Sequence, residues 1–139
     1  MSYAGFWKRF ASNLIDVIIT GVVAGILGFM LGIYLALDNP YIDEYVAEIY
    51  GNILGLLISW IYWAAFESSS MQATPGKMAL GIIVTDTNGS RITFGKASGR
   101  YFGKIISALI LGIGFLMVAF TQKKQGLHDK ISDCLVIDK

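Results

Sequence analysis

FWKRFASNLIDVIITGVVAGILGFMLGIYLAL, residues 6–37, decides how this chain is read. It opens with Lys8 and Arg9, carries Asn13 and Asp16, and then runs from Val17 to Leu37, 21 residues without a formal charge. At ~1.5 Å of rise per residue, that uncharged part matches the roughly 30 Å hydrocarbon core of a bilayer. The pattern predicts a membrane-spanning helix over about residues 10–37, entered by a cationic pair and carrying one carboxylate near its start. A carboxylate there is costly unless it has a partner, a proton or water, so the rest of the chain is searched for what supplies one.

Polarity along this helix is patterned. At 3.6 residues per turn, Arg9, Asn13, Asp16 and Thr20 fall on one stripe. Gly21, Gly25, Gly28 and Gly32 form a second stripe, turned roughly 150° away. Small residues at that spacing let another helix backbone come close, so they are expected to be packing positions.

Composition agrees. Of 139 residues, 55% are hydrophobic and 15% charged, and the mean hydropathy is +0.60. Those values suit a small polytopic membrane protein of one domain, residues 1–139, and not a soluble domain of this size. The net charge of +1 offers no field for nucleic acid, which is excluded as a partner. Cys134 is the one cysteine and His128 the one histidine, so neither an internal disulfide nor a His-rich metal site is expected; no metal or cofactor is assigned. The apolar run after Arg9 contains Asp16 and is too long for a cleaved signal, so it is expected to stay as an anchor.

Downstream, Asp38-Asn39-Pro40 stops the first helix and opens a loop, residues 38–48, with four acids and no Lys or Arg. A second apolar stretch, about residues 49–66, is just long enough to cross. Trp60, Tyr62 and Trp63 near its end read as an interfacial belt. Asn52, Ser59 and Trp63 share a face there and are expected to meet the Asp16 stripe. Thr74-Pro75-Gly76-Lys77 is a turn signal, and it lacks the residues of a phosphate-binding loop. The segment of about residues 80–94, with Asn88-Gly89 between β-favouring runs, predicts a small hairpin whose return strand is Arg91 to Phe94. Lys96, Arg100 and Lys104 then line one side of a helix and are expected to lie at anionic headgroups. A third apolar segment, about residues 105–121, is interrupted at Gly112 to Gly114, and a lysine-bearing tail, residues 122–139, follows.

Lys and Arg in short flanks set orientation. The 38–48 loop has none and residues 67–104 have five, which puts the N-terminus and the hairpin in the cytoplasm. The third segment either crosses, leaving the tail lysines outside, or re-enters at the glycines and returns the tail inside. Re-entry is the expectation, with Val136 then able to add a strand to the hairpin.

Arg9 and Asp16 are two turns apart on one face, with Asn13 between them as a bridge, and Asp129, flanked by His128, completes a set in the tail. Arg9, Asn13, Asp16, His128 and Asp129 therefore form the candidate charge network. It serves either as a buried polar clamp or as an ion or proton relay. With Arg9 opening the first helix, Asp16 within it, Gln125-Gly126-Leu127-His128-Asp129 near the end, Thr74-Pro75-Gly76-Lys77, Gly81-Ile82-Ile83-Val84 and Leu135-Val136-Ile137, the chain from Tyr3 to Ile137 resembles the RDD family of small membrane proteins. That family is named for one arginine and two aspartates. Where its pattern would have an Ala-Gly-Thr-like step, this chain has Ser132-Asp133-Cys134.

The fold expected is an α-helical integral membrane protein with two spanning helices, a third apolar segment and a small cytoplasmic β-hairpin. Its expected location is the plasma (inner) membrane of a prokaryote. Two functions stay open: oligomeric transport of a small cation or protons, or a non-catalytic scaffold using hairpin and tail as a docking face. Beyond the lipid bilayer, the partners expected are further copies of the chain or other membrane proteins. No nucleophile–base pair argues for an enzyme.

Overall fold

The structure is a computed structural model that describes residues 2–109 and 113–139, side chains excepted at 113–115. Helix α1, Phe6–Asp38, and helix α2, Glu44–Ser68, are both long and apolar enough to cross a bilayer. Asn39 is extended ahead of Pro40 (φ −140°, ψ 90°) and ends α1, because a residue preceding proline is pushed out of the helical region. Asp43 then caps α2, its side chain accepting from Tyr45 N–H at 2.8 Å.

The two helices bury little of themselves. In α1 the buried residues are Arg9, Ser12, Asp16 and Thr20, one stripe on the half nearest its start. In α2 they are Trp63, Ala64 and Glu67, all near its end. Past Thr20 most large side chains of α1 are exposed, from Val22 to Leu37, with Leu31 and Leu35 half-buried. Exposed aliphatics over such a length suit a lipid-facing surface.

What covers the buried ends is a cap built from the rest of the chain. It comprises α3 (Pro75–Ala79), β1 (Ile82–Asp86), α4 (Phe94–Leu109), α5 (Ile113–Phe120), α6 (Leu127–Ser132) and β2 (Cys134–Asp138). Strand β1 runs antiparallel to β2 with Val84 opposite Val136. Ile82, Val84, Cys134 and Val136 alternate inward and join Ala4, Ala64, Ile92 and Ala97 in the cap's core. The N-terminal segment adds to the outer side of β2: Tyr3 bridges Ile137, and Ala4 N–H donates to Val136 C=O at 2.9 Å.

The hairpin expected over residues 80–94 is thus not what forms. Residues 91–93 are not strand, and β1 takes the tail strand as its partner instead. Asn88-Gly89 does make its turn, with Asp86 Oδ1 accepting from the N–H groups of Asn88 and Ser90. The chain then enters α4 with Thr93 Oγ1 accepting from Lys96 N–H, so the turn feeds a helix. The tryptophans are no belt either. Trp63 is buried, and Trp60 packs on the core with its indole N–H donating to Ser98 at 2.9 Å.

The third apolar segment divides into the end of α4 and α5. Gly112 lies outside the described residues, so the break expected there is not described. The outcome is visible in the tail, since α6 packs on α4 and β2 pairs with β1, at the end of the molecule where α1 begins. At Ser132-Asp133-Cys134, Asp133 ends α6 in the left-handed conformation (φ 53°). Glycine is freest there, and aspartate is among the few other residues that tolerate it.

Candidate functional site

Asp16 sits on the third turn of α1 with no exposed surface. Its Oδ1 accepts from Tyr62 O–H at 2.7 Å and from Gly76 N–H at 2.8 Å, and its Oδ2 accepts from Thr74 O–H at 2.5 Å. Thr74-Pro75-Gly76-Lys77 explains itself at this point. Thr74 caps α3 while donating to the carboxylate, and Pro75 takes the first helical position, where no N–H is needed. Gly76 allows the approach: a Cβ there would stand 2.2 Å from Ser12 C=O and 2.8 Å from the Asp16 carboxylate. Lys77 turns inward to Glu67, Nζ to Oε1 at 3.1 Å.

Asp129 is the second buried acid. Its Oδ1 accepts from Arg100 Nε at 2.7 Å. Its Oδ2 accepts from Arg9 Nη2 and, at 3.0 Å, from Gly126 N–H, so it closes the first turn of its own helix. Burial alone would oppose ionisation of Asp129, but Arg9 and Arg100 more than reverse that and hold its carboxyl well below the usual range. Arg9 also donates to Lys124 C=O at 2.7 Å and stands 3.1 Å from His128 Nε2. An imidazole accepting there carries its proton on Nδ1. Burial pushes the His128 pKa well below that of a free histidine, which keeps the ring neutral.

Glu67 is the third. Arg100 Nη1 donates to both its oxygens, at 2.6 and 2.7 Å, and Lys77 pairs with Oε1. Arg100 is therefore the centre of the cluster, joining the acid at the end of α2 to the acid of α6. Burial opposes its charge, yet the two carboxylates raise its pKa above the ordinary value. Lys104, half-buried, lies 5.2 Å from the Trp63 ring centroid. Burial and then the charge of Lys77 depress its pKa.

Of the residues expected as one set, Arg9, His128 and Asp129 meet. Asp16 does not join them directly, because its oxygens go to Tyr62, Thr74 and Gly76. Asn13 lines a cavity, and among the described residues it does not bridge Arg9 to Asp16. Asn52, Ser59 and Trp63 are not the Asp16 partners; Tyr62 and the 74–76 turn are. Arg100 and Lys104 do not lie against headgroups, since α4 turns that side inward. Gly103 permits this, for a Cβ there would come within 3.0 Å of the His128 Cα. Glu67, Lys77 and Arg100 are the members that the sequence pattern missed. Their signal was an acid closing an apolar run, a lysine closing a turn motif and an arginine at the middle of a cationic stripe. At Gly21, Gly25, Gly28 and Gly32 an added Cβ would meet nothing within 4 Å, so within one chain the stripe is unoccupied.

Beside the cluster is a cavity of about 330 Å³. Arg9, Asn13, Lys77, Arg100 and His128 form its polar side, while Phe6, Phe10, Leu116 and Val118 form its apolar side. The carboxylates of Glu67, Asp16 and Asp129 are not on its lining.

Comparison with known proteins completes the picture. Residues 3–133 match the model of the RDD family. The chain is 31% identical over 143 aligned positions to "Uncharacterized membrane protein YteJ" of Bacillus subtilis (strain 168), covering 98% of this chain and 81% of that protein. It is 42% identical over 87 positions to "Uncharacterized protein YxaI" of the same organism, covering 63% of this chain and 57% of that protein. The match thus spans little more than half the length of YxaI. No solved structure matches. The two long apolar helices and the naming of YteJ both mark a membrane protein. A family match over nearly the whole length, with a relative aligned over 98% of this chain, shows that this chain belongs to the RDD family.

Proposed function

We propose that the chain is a non-catalytic membrane scaffold whose charge cluster locks the cap onto two spanning helices and holds out a docking face. One observation carries this reading: the three buried acids are satisfied by internal donors. Asp16 accepts from Tyr62, Thr74 and Gly76; Asp129 from Arg9, Arg100 and Gly126; Glu67 from Arg100, with Lys77 beside it. A site that carries a small cation or protons must release lone pairs to its cargo, and three cations already pair with Glu67 and Asp129. The face offered to a partner membrane protein is that of the cap, where Met71 and Met78 line a pocket of about 180 Å³ with Ile83. Methionine adapts to varied apolar partners. The unoccupied glycine stripe of α1 is a second contact, suited to another copy of the chain.

Ion and proton flux into liposomes holding the purified protein separates this from oligomeric transport. The scaffold predicts flux no greater than in protein-free liposomes, with or without Asp16→Asn. Flux that Asp16→Asn abolishes would establish transport in its place. On the Lys/Arg split we further propose that the cap is cytoplasmic and residues 38–48 lie outside, with the plasma membrane as the site. An impermeant thiol reagent applied to intact cells should label Asp43→Cys and spare Ser90→Cys, in a Cys134→Ala background. The reverse pattern inverts the topology.

A further inference from the structure

We propose that the cavity between α1, α4 and α5 is a binding site for one anionic amphiphile, its acidic head on Arg9, Lys77 and Arg100 and its tail leaving between Phe10 and Leu116. This does not depend on whether the module scaffolds or transports.

Four features of the cavity point the same way. Arg9, Lys77 and Arg100 line it and are each at most 6% exposed, so the positive charge is fixed within the protein and not spread on its surface. The acids that balance them stand behind, off the lining, so a molecule inside meets donors: guanidinium and ammonium groups, with the Asn13 amide beside them. A cation is repelled from such a floor, and a neutral hydrocarbon leaves it unsatisfied.

Lys77 has capacity to spare. Its Nζ pairs with Glu67 Oε1 at 3.1 Å, and among the described residues no other acceptor engages this buried ammonium. An ammonium has three hydrogens to donate, and a tetrahedral or planar oxyanion in the cavity would take those that Glu67 leaves.

The walls select against a free inorganic ion. Phe10 and Leu116 line the mouth, about half exposed. Both stand near the start of α1, where Leu14, Val17 and Ile18 are exposed as well. An acyl chain leaving between them would pass into the hydrocarbon with no polar surface to cross. At about 330 Å³ the cavity is at the low end of the ~300–1,000 Å³ of small-molecule sites, enough for a head group and the first methylenes but not a whole lipid.

The test uses full-length protein in dodecyl maltoside and three probes. Dodecyl phosphate has head and tail, dodecylphosphocholine has the same tail without net charge, and inorganic phosphate has the charge without the tail. Native mass spectrometry counts bound copies. One saturable dodecyl phosphate per chain is expected, held at least about tenfold more tightly than either other probe. Equal retention of dodecylphosphocholine would reduce the cavity to a tail slot, and equal retention of inorganic phosphate would make it a free-anion site; either overturns the proposal. Asn13→Asp sets a like charge beside the head and should weaken dodecyl phosphate by about tenfold or more. Leu116→Gln, at the exposed mouth, serves where Asn13→Asp fails to fold, and should weaken the same probe while leaving inorganic phosphate unchanged. Unaltered affinity in the folded variant sinks the assignment.

Discussion

Asp16 shows how one side chain organises its surroundings. A buried carboxylate needs donors at fixed places, and here a hydroxyl from α2 and a hydroxyl and backbone N–H from the start of α3 supply them. That convergence is possible only because position 76 has no side chain. Gly76→Ala should therefore lower the thermal midpoint in detergent strongly, since the new methyl would press on Ser12 C=O and the Asp16 carboxylate, both held rigidly. Overpacking of this kind costs roughly 1–3 kcal/mol, occasionally more. Gly25→Ala provides the contrast. Nothing lies within 4 Å of the added methyl, and a helix interior gains about 0.5–1 kcal/mol when glycine becomes alanine. A midpoint unchanged by Gly76→Ala would mean that α3 does not sit against α1. Arg9 and Asp16 were legible as site residues because charges bordering an apolar run stand out, and Asp129 because of the Gln125-Gly126-Leu127-His128-Asp129 segment that holds it. Glu67, Lys77 and Arg100 were not, because each stands where a solvated charge is equally ordinary: a helix end, a turn, a cationic stripe.

At the scale of elements, the two long apolar helices are written locally and the cap is not. Hydrophobic length and the Asn39-Pro40 stop suffice to outline α1 and α2. The sheet depends on what is brought to β1 from 48 to 56 residues away, and a turn signal such as Asn88-Gly89 cannot report that. The turn forms, but Thr93 starts a helix directly after it and the strand edge is left for the tail. Register makes this testable. Ile83 is opposite Ile137, so Ile83→Cys with Ile137→Cys should join as a disulfide under mild oxidation, in a Cys134→Ala background. Ile83→Cys with Phe94→Cys, the positions a hairpin turning at Asn88-Gly89 would bring opposite each other, should not. Cross-linking of the second pair and not the first would restore the local hairpin and remove the tail from the cap. The same return of the tail explains the glycine at 103. Helix α4 can bring Arg100 to Asp129 only if α6 lies close, and Gly103 is where His128 crosses it.

Across the whole molecule, the charges do what the small core cannot. The cap's apolar cluster is made largely of alanines, valines and isoleucines from short elements. Its attachment to the long helices runs instead through ion pairs joining distant parts of the chain: Arg9 to Asp129, Arg100 to Asp129 and Glu67, and Lys77 to Glu67. Burial makes such pairs costly to assemble but far more costly to break singly, typically about 3–5 kcal/mol when one partner is removed. Arg9→Ala leaves Asp129 with one guanidinium, and Asp129→Ala leaves Arg9 and Arg100 both short of an acceptor. Each should lower the thermal midpoint steeply, and together they should cost less than their sum, by a coupling of roughly 0.5–3 kcal/mol. The pair Arg9→Ala with Asp16→Ala separates this arrangement from a single network along α1. These two residues share a helix face but not a bonding partner, so their effects should add to within about 0.5 kcal/mol. Coupling to Asp16 as strong as to Asp129 would mean that the carboxylate of α1 swings to the arginine. The cap would then hang from α1 by one cluster of charges and not by two.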